Sequence, residues 1–128
     1  MIKSYKDLEV YQSSYQLAIE VHQITQKFPN YERYEMGSQL RRSAMSIPMN
    51  IAEGYGKKRS VKEFKRFLLM AMGSCNEVQV LLDMSKDLKY IEEQVHEQLT
   101  KKYDILGKRL NVMIEKWQVK PNNHDSNF

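Results

Sequence analysis

The chain is short of the residues that staple or interrupt a fold. It has one cysteine, Cys75, so no disulfide framework can form within it. Three prolines and five glycines in 128 residues are too few for a loop-rich or disordered protein. No stretch approaches the roughly 18 uninterrupted apolar residues of a membrane span, so no membrane association is expected. The N-terminal MIKSYKDLEV carries charge but lacks the apolar core of a secretory signal. These absences point to a soluble, cytoplasmic chain of one domain, and a hydrophobic fraction of 41% is enough to build its core.

What is present is long helix. Residues 7 to 27 form the first, with Asp7 as its N-cap and Glu9 in its first turn. Val10, Leu17, Val21, Ile24 and Phe28 repeat at helical spacing, and Leu8, Tyr11, Tyr15 and Ala18 make a second apolar stripe beside them. Pro29 ends the helix by disfavouring helical backbone at Phe28. A second helix over residues 35 to 55 buries Leu40, Ala44, Ile47 and Ile51. Pro48 lies inside this pattern and predicts a kink. Two short helices are the alternative, set aside because the apolar period crosses the proline without a shift. Gly54 or Gly56 is expected to end this helix in left-handed backbone.

Ser60 and Glu63 have capping-box spacing and open a third helix that runs to residue 88. Its main stripe is Phe64, Phe67, Leu68, Ala71, Cys75, Val78 and Leu82. Met70, Leu81, Met84 and Leu88 are apolar but lie off that stripe, and Gly73-Ser74 is a small pair that another helix could approach. A fourth helix, residues 92 to 118, places Val95, Leu99, Tyr103, Leu106, Leu110, Met113 and Trp117 at alternating steps of four and three. Residues 119 to 128 read as a flexible tail. The expected fold is all-α: an antiparallel up-down four-helix bundle over residues 1–118, kinked in its second helix. Helices one and three carry more apolar surface than the single stripe a small bundle buries, which points to self-association.

Catalytic signals are sparse. Glu93 and His96 form a Glu-x-x-His step, half of the di-iron motif found in some bundles, but no second step exists and the other inner stripes hold no well-placed carboxylate. No metal and no cofactor are expected. His22 reads as a half-buried packing residue. Cys75 has no histidine or lysine one helical turn away to activate it and reads as a buried structural thiol. Gly54-Tyr55-Gly56-Lys57-Lys58 lacks the preceding strand and the full spacing of a phosphate-binding loop. The chain is not expected to be an enzyme.

The charge, by contrast, is concentrated. Arg41, Arg42, Lys57, Lys58, Arg59, Lys62, Lys65 and Arg66 crowd residues 41 to 66 against only Glu53 and Glu63, whereas acids outnumber cations in the rest of the chain. Most charge runs are simply solvated corners. Here, however, cations at the start of the third helix oppose its macrodipole, where a structural design would place acids. Those eight residues are therefore candidate phosphate contacts, with Tyr55 as a candidate stacker on a base. Asn50 and Glu53 are expected to play structural roles near the kink.

The run LRRSAMSIPMNIAEGYG, residues 40 to 56, followed by a basic turn and EFKRFLLMAMGSCNEV, residues 63 to 78, resembles the four-helix bundle proteins encoded in intervening sequences of bacterial 23S rRNA genes, the S23 family. The opening YKDLEVYQSSYQLAIEVHQIT is similar to that family's first helix, so the resemblance covers about residues 5 to 115. Arg41, Arg42, Pro48, Asn50, Glu53 and Gly54 match its motif positions. The resemblance implies a kinked bundle assembled as a ring-shaped homopentamer. Related accessory proteins of diversity-generating retroelements accompany reverse transcriptases, which makes a reverse transcriptase a candidate partner. The expected function is that of a non-enzymatic, oligomeric nucleic-acid-binding accessory protein, RNA being favoured over DNA. The alternative is a protein-interaction scaffold built on a homo-oligomeric ring without nucleic-acid binding.

Overall fold

The computed structural model describes residues 1–117. Four long helices dominate: α1 (Glu9–Thr25), α3 (Met36–Gly56), α4 (Val61–Asp87) and α5 (Glu93–Lys116), with the single-turn α2 (Asn30–Arg33) between α1 and α3. No strand occurs among the described residues. α1 packs on α3 and α5, and α4 packs on α3 and α5, so each long helix touches two others around one core. Leu40, Ile47, Ile51, Phe64, Leu68, Leu82, Leu106 and Leu110 are fully enclosed there. The seam between α3 and α4 pairs Met36 with Ser85, Ser43 with Glu77, Ser46 with Ser74, and Gly54 with Phe67. The predicted tail, residues 119–128, lies outside the described residues.

Several local expectations need correcting. Asp7 does not cap the first helix. It sits in a 3-10 turn, Tyr5–Asp7, capped by Ser4, and its carboxylate accepts from the backbone N–H of Lys3 at 2.7 Å and of Ser4 at 3.1 Å. Those bonds hold its carboxyl below the usual carboxylate range. α1 therefore starts two residues later than expected, with Leu8 as a cap that has no side-chain bond. His22 is exposed rather than half-buried.

Pro48 is buried inside α3, and the helix runs unbroken through it. Proline has no N–H to offer the carbonyl of Ala44. Side chains supplement the ladder nearby: Asn50 Nδ2 donates to the Ser46 carbonyl at 2.8 Å, and Ser46 Oγ donates to the Ser43 carbonyl at 2.8 Å.

Neither Gly54 nor Gly56 takes the left-handed conformation; no described glycine has positive φ. α3 ends instead on Lys57, at φ −109° and ψ 19°, whose N–H reaches back to the Gly54 carbonyl at 2.9 Å. Among the described residues the left-handed one is Lys89, at φ 65°, just after α4, where the Tyr90 N–H closes onto the Ser85 carbonyl at 2.8 Å. Gly54 has a different purpose. A Cβ there would lie 2.6 Å from the Cβ of Phe67 and 3.0 Å from a ring carbon of Phe64. Only a hydrogen atom fits between the α3 backbone and these two rings.

Gly54→Ala is expected to destabilise the fold by about 1–3 kcal/mol through overpacking. Gly56→Ala, where an added Cβ meets nothing within 4 Å, should stabilise it by about 0.4–1 kcal/mol by restricting the unfolded chain. Urea unfolding followed by circular dichroism compares the two directly.

Candidate nucleic-acid interface

The close approach at Gly54 creates the corner where α3 turns into α4. Residues 57–60 make the turn, with Lys58 N–H on the Tyr55 carbonyl at 3.1 Å and Ser60 N–H on the Lys57 carbonyl at 3.0 Å. Ser60 then caps α4, its Oγ accepting from the Glu63 N–H at 3.1 Å. The reciprocal half of the capping box is missing because the Glu63 carboxylate has turned to Arg66, with Nε–Oε2 at 3.0 Å and Nη2–Oε1 at 3.3 Å. That bond holds the Glu63 carboxyl below its ordinary range, and together with the fields of Glu63 and Glu53 it holds the Arg66 guanidinium above its own.

Beneath the turn lies an aromatic spine. Tyr55 meets Phe64 edge-on at 6.3 Å, and Phe64 meets Trp117 edge-on at 4.4 Å, tying the end of α5 to the corner. Cations lie over these rings. Lys57 Nζ sits 4.8 Å and Arg66 Cζ 4.6 Å from the centroid of Phe67. Lys58 Nζ sits 4.1 Å from the centroid of Tyr55 and donates to its hydroxyl at 2.8 Å. Each cation is drawn to the negative face of its ring. Arg59 and Lys62 are exposed and Lys65 is half-exposed; none of the three has an ion-pair partner among the described residues.

Three of the predicted contacts do not fit this patch. Tyr55 is only 8% exposed, with Phe64 on one side and Lys58 on the other, so its ring is packing material and offers no face to a base. Arg41 is consumed internally: Nη1 donates to Thr25 Oγ1 at 2.9 Å and Nη2 to the Arg33 carbonyl at 3.0 Å, clamping α1 and α2 to the start of α3. Gly37 leaves room for that guanidinium, since a Cβ there would lie 3.1 Å from Arg41 Nη1. Arg41 is also about 24 Å from Lys57 along the helix at 1.5 Å per residue. Arg42 is exposed but equally remote, so the basic run of the sequence divides between the two ends of α3. The basic patch that remains as a candidate is Lys57, Lys58, Arg59, Lys62, Lys65 and Arg66. Of the motif positions, Pro48, Asn50 and Gly54 shape α3, whereas Glu53 is exposed and makes no hydrogen bond or ion pair among the described residues.

Elsewhere the chemistry is structural. His96 Nε2 lies 2.7 Å from Asp83 Oδ1, joining α5 to α4. Glu93, its companion in the Glu-x-x-His step, is exposed, and no cluster of three or more potential metal ligands exists among the described residues. Cys75 is buried, its Sγ donating to the Tyr103 carbonyl at 3.2 Å, and burial pushes the thiol up to about 11. The Tyr103 hydroxyl is enclosed with no hydrogen-bond partner among the described residues, and burial raises its pKa as well. No described helix is long and apolar enough to cross a membrane.

These features define a class: an all-helical bundle protein with a cationic corner and, among the described residues, no metal cluster. The family is more specific. Residues 6–112 match the 23S rRNA-intervening sequence protein family, and the chain belongs to that family. It is also similar in fold to a crystal structure of a protein of unknown function from the S23 ribosomal protein family of Bacteroides thetaiotaomicron. The two are 24% identical, with a TM-score of 0.76 over 83% of this chain and 98% of that one. No curated protein matches the chain.

Arg41→Ala is expected to cost about 1–3 kcal/mol, because it strips the buried Thr25 hydroxyl and the part-buried Arg33 carbonyl of their donor. Lys27→Ala, an exposed change at the same end of the bundle, should stay within about 0.5 kcal/mol. Denaturant midpoints measured side by side check both.

Proposed function

We propose that the chain is a non-enzymatic, self-associating nucleic-acid-binding accessory protein that grips phosphates, of RNA in preference to DNA, through the α3–α4 corner. The observation that carries this reading is the corner itself. Six cations face one carboxylate within residues 57–66, and Arg59, Lys62 and Lys65 have no ion-pair partner among the described residues. Cations without internal partners at a helix start oppose the helix dipole, and a polyanion would offset that cost. Phosphate binding of this kind needs no base-reading groups. The rRNA in the family's name supports the choice of RNA.

The same reading takes the four long helices, residues 1–118, as an antiparallel up-down bundle. The α3–α4 contacts support this, since they move toward the end of one helix as they move toward the start of the other. Pro48 supports a bend in α3. Copies would assemble into a cyclic ring, with five as the number the family resemblance implies, and each ring would multiply a weak patch by avidity. The second reading, a ring that scaffolds proteins without binding nucleic acid, draws on the exposed apolar side chains of α1 and α3, such as Tyr15 at 52% and Met49 at 62% exposure.

Fluorescence anisotropy with a labelled RNA should show affinity falling linearly with salt on logarithmic axes. Replacing Arg59, Lys62 and Lys65 together with glutamine should weaken binding and lower the slope by about 2–3, near one per lost phosphate contact. Lys101→Gln, an exposed change on α5, should leave the slope unchanged. A triple variant with wild-type affinity and slope would remove the corner from the function.

A further inference from the structure

One anion is already present among the cations of the corner. The Glu63 carboxylate lies on the fork of Arg66, one oxygen accepting from Nε at 3.0 Å and the other from Nη2 at 3.3 Å, and it feels the fields of Lys57 and Lys62 as well. A guanidinium offers this fork to carboxylate and phosphate alike, because both present a pair of charged oxygens. The fork is also braced. Arg66 Cζ is 4.6 Å from the centroid of Phe67, the ring that also carries Lys57, and Phe67 is buried beside Gly54. A group already braced on a buried ring loses little freedom when it engages a ligand.

Glu63 is not needed at the helix start. In a capping box its carboxylate would accept from the Ser60 N–H. Here that N–H donates to the Lys57 carbonyl at 3.0 Å, and Ser60 Oγ caps α4 by itself. The carboxylate is therefore available to Arg66. The pair they make is weak in water: Arg66 is 53% and Glu63 40% exposed, and exposed ion pairs are screened and offset by the entropy of holding two long side chains.

We infer that Arg66, braced on Phe67, is a phosphate-receiving fork, and that Glu63 is its resident stand-in, which a backbone phosphate of the nucleic acid displaces. The inference rests on the phosphate binding in the proposed function; it gives one contact a geometry and names the residue that opposes it. Displacement leaves a carboxylate that recruits a cation from solution, so the wild-type corner releases about one counterion fewer than its cations allow. Glu63 thereby sets a threshold. An isolated anion competes with a carboxylate that is tethered in place, whereas a polyanion that engages Arg59, Lys62 and Lys65 at the same time overcomes it.

Anisotropy with a labelled RNA over a range of salt tests this. Glu63→Gln, which keeps the size of the side chain and removes its charge, should tighten binding by up to about fivefold, the worth of an exposed ion pair, and steepen the salt slope by up to about one. No gain overturns the inference. Arg66→Lys should keep the slope and weaken binding, because a point charge replaces the fork; a lysine as effective as the arginine overturns the fork. In the Arg66→Gln background the gain from Glu63→Gln should fall to half or less on a logarithmic scale. A larger remainder would mean that Glu63 repels RNA at large, and overturns the inference. A second measurement needs no substitution that could disturb the fold. In a proton–nitrogen correlation spectrum of the wild-type chain, the Arg66 Nε–H resonance should shift saturably with inorganic phosphate at constant ionic strength, and a resonance left in place overturns the fork. RNA binding with that resonance unmoved sinks the fork alone. Phosphate on the fork of a chain indifferent to RNA sinks the nucleic-acid reading alone.

Discussion

The contact between Gly54 and Phe67 is the constraint on which the rest of the corner depends. A helix backbone can approach an aromatic ring this closely only where no Cβ intervenes. Once α3 and α4 are drawn together there, the turn between them has four residues and little latitude. The side chains of that turn must then leave over the rings that hold the helices together. Their positive charge is thus placed by packing: Phe67 carries Lys57 and Arg66 on its surface, and Tyr55 carries Lys58.

The two ends of α3 solve different problems with the same residue type. At its start, arginine acts as an internal strut, with Arg41 spanning from α3 to Thr25 and the Arg33 carbonyl. Near its end, cations point outward, and Arg59, Lys62 and Lys65 have no ion-pair partner among the described residues. Between them, α3 continues through the buried Pro48 although the Ala44 carbonyl loses its ladder donor, and Ser46 and Asn50 add side-chain bonds to the nearby Ser43 and Ser46 carbonyls.

Much of this architecture was legible in the amino-acid sequence. The four apolar stripes gave the four long helices within two residues at most ends, and Ser60 marked the start of α4, because periodicity and capping are local signals. What stayed hidden depends on neighbours distant in the chain. Gly54 followed by Gly56 reads as a helix stop, yet Gly54 is a spacer for a ring thirteen positions away. The real left-handed residue, Lys89, carries no signal because lysine rarely adopts that backbone. Tyr55 looked accessible beside three cations; its burial follows from Phe64 and Lys58, whose positions periodicity alone does not give. The eight clustered cations formed one patch in the sequence only because a helix separates its ends by distance without separating them by many residues. The Ser43–Glu77 and Ser46–Ser74 pairs were likewise invisible, since each joins two helices.

The rings under Lys57, Lys58 and Arg66 also divide the corner's cations by freedom of movement. Three are seated before any partner arrives and have already given up much of their rotamer entropy, so engaging them immobilises little that is new. Arg59, Lys62 and Lys65 keep theirs and, under the proposed function, would follow phosphates at whatever spacing they present. Under that proposal, a surface with a rigid centre and an adaptable fringe would respond to the path of a charged strand and be indifferent to its letters.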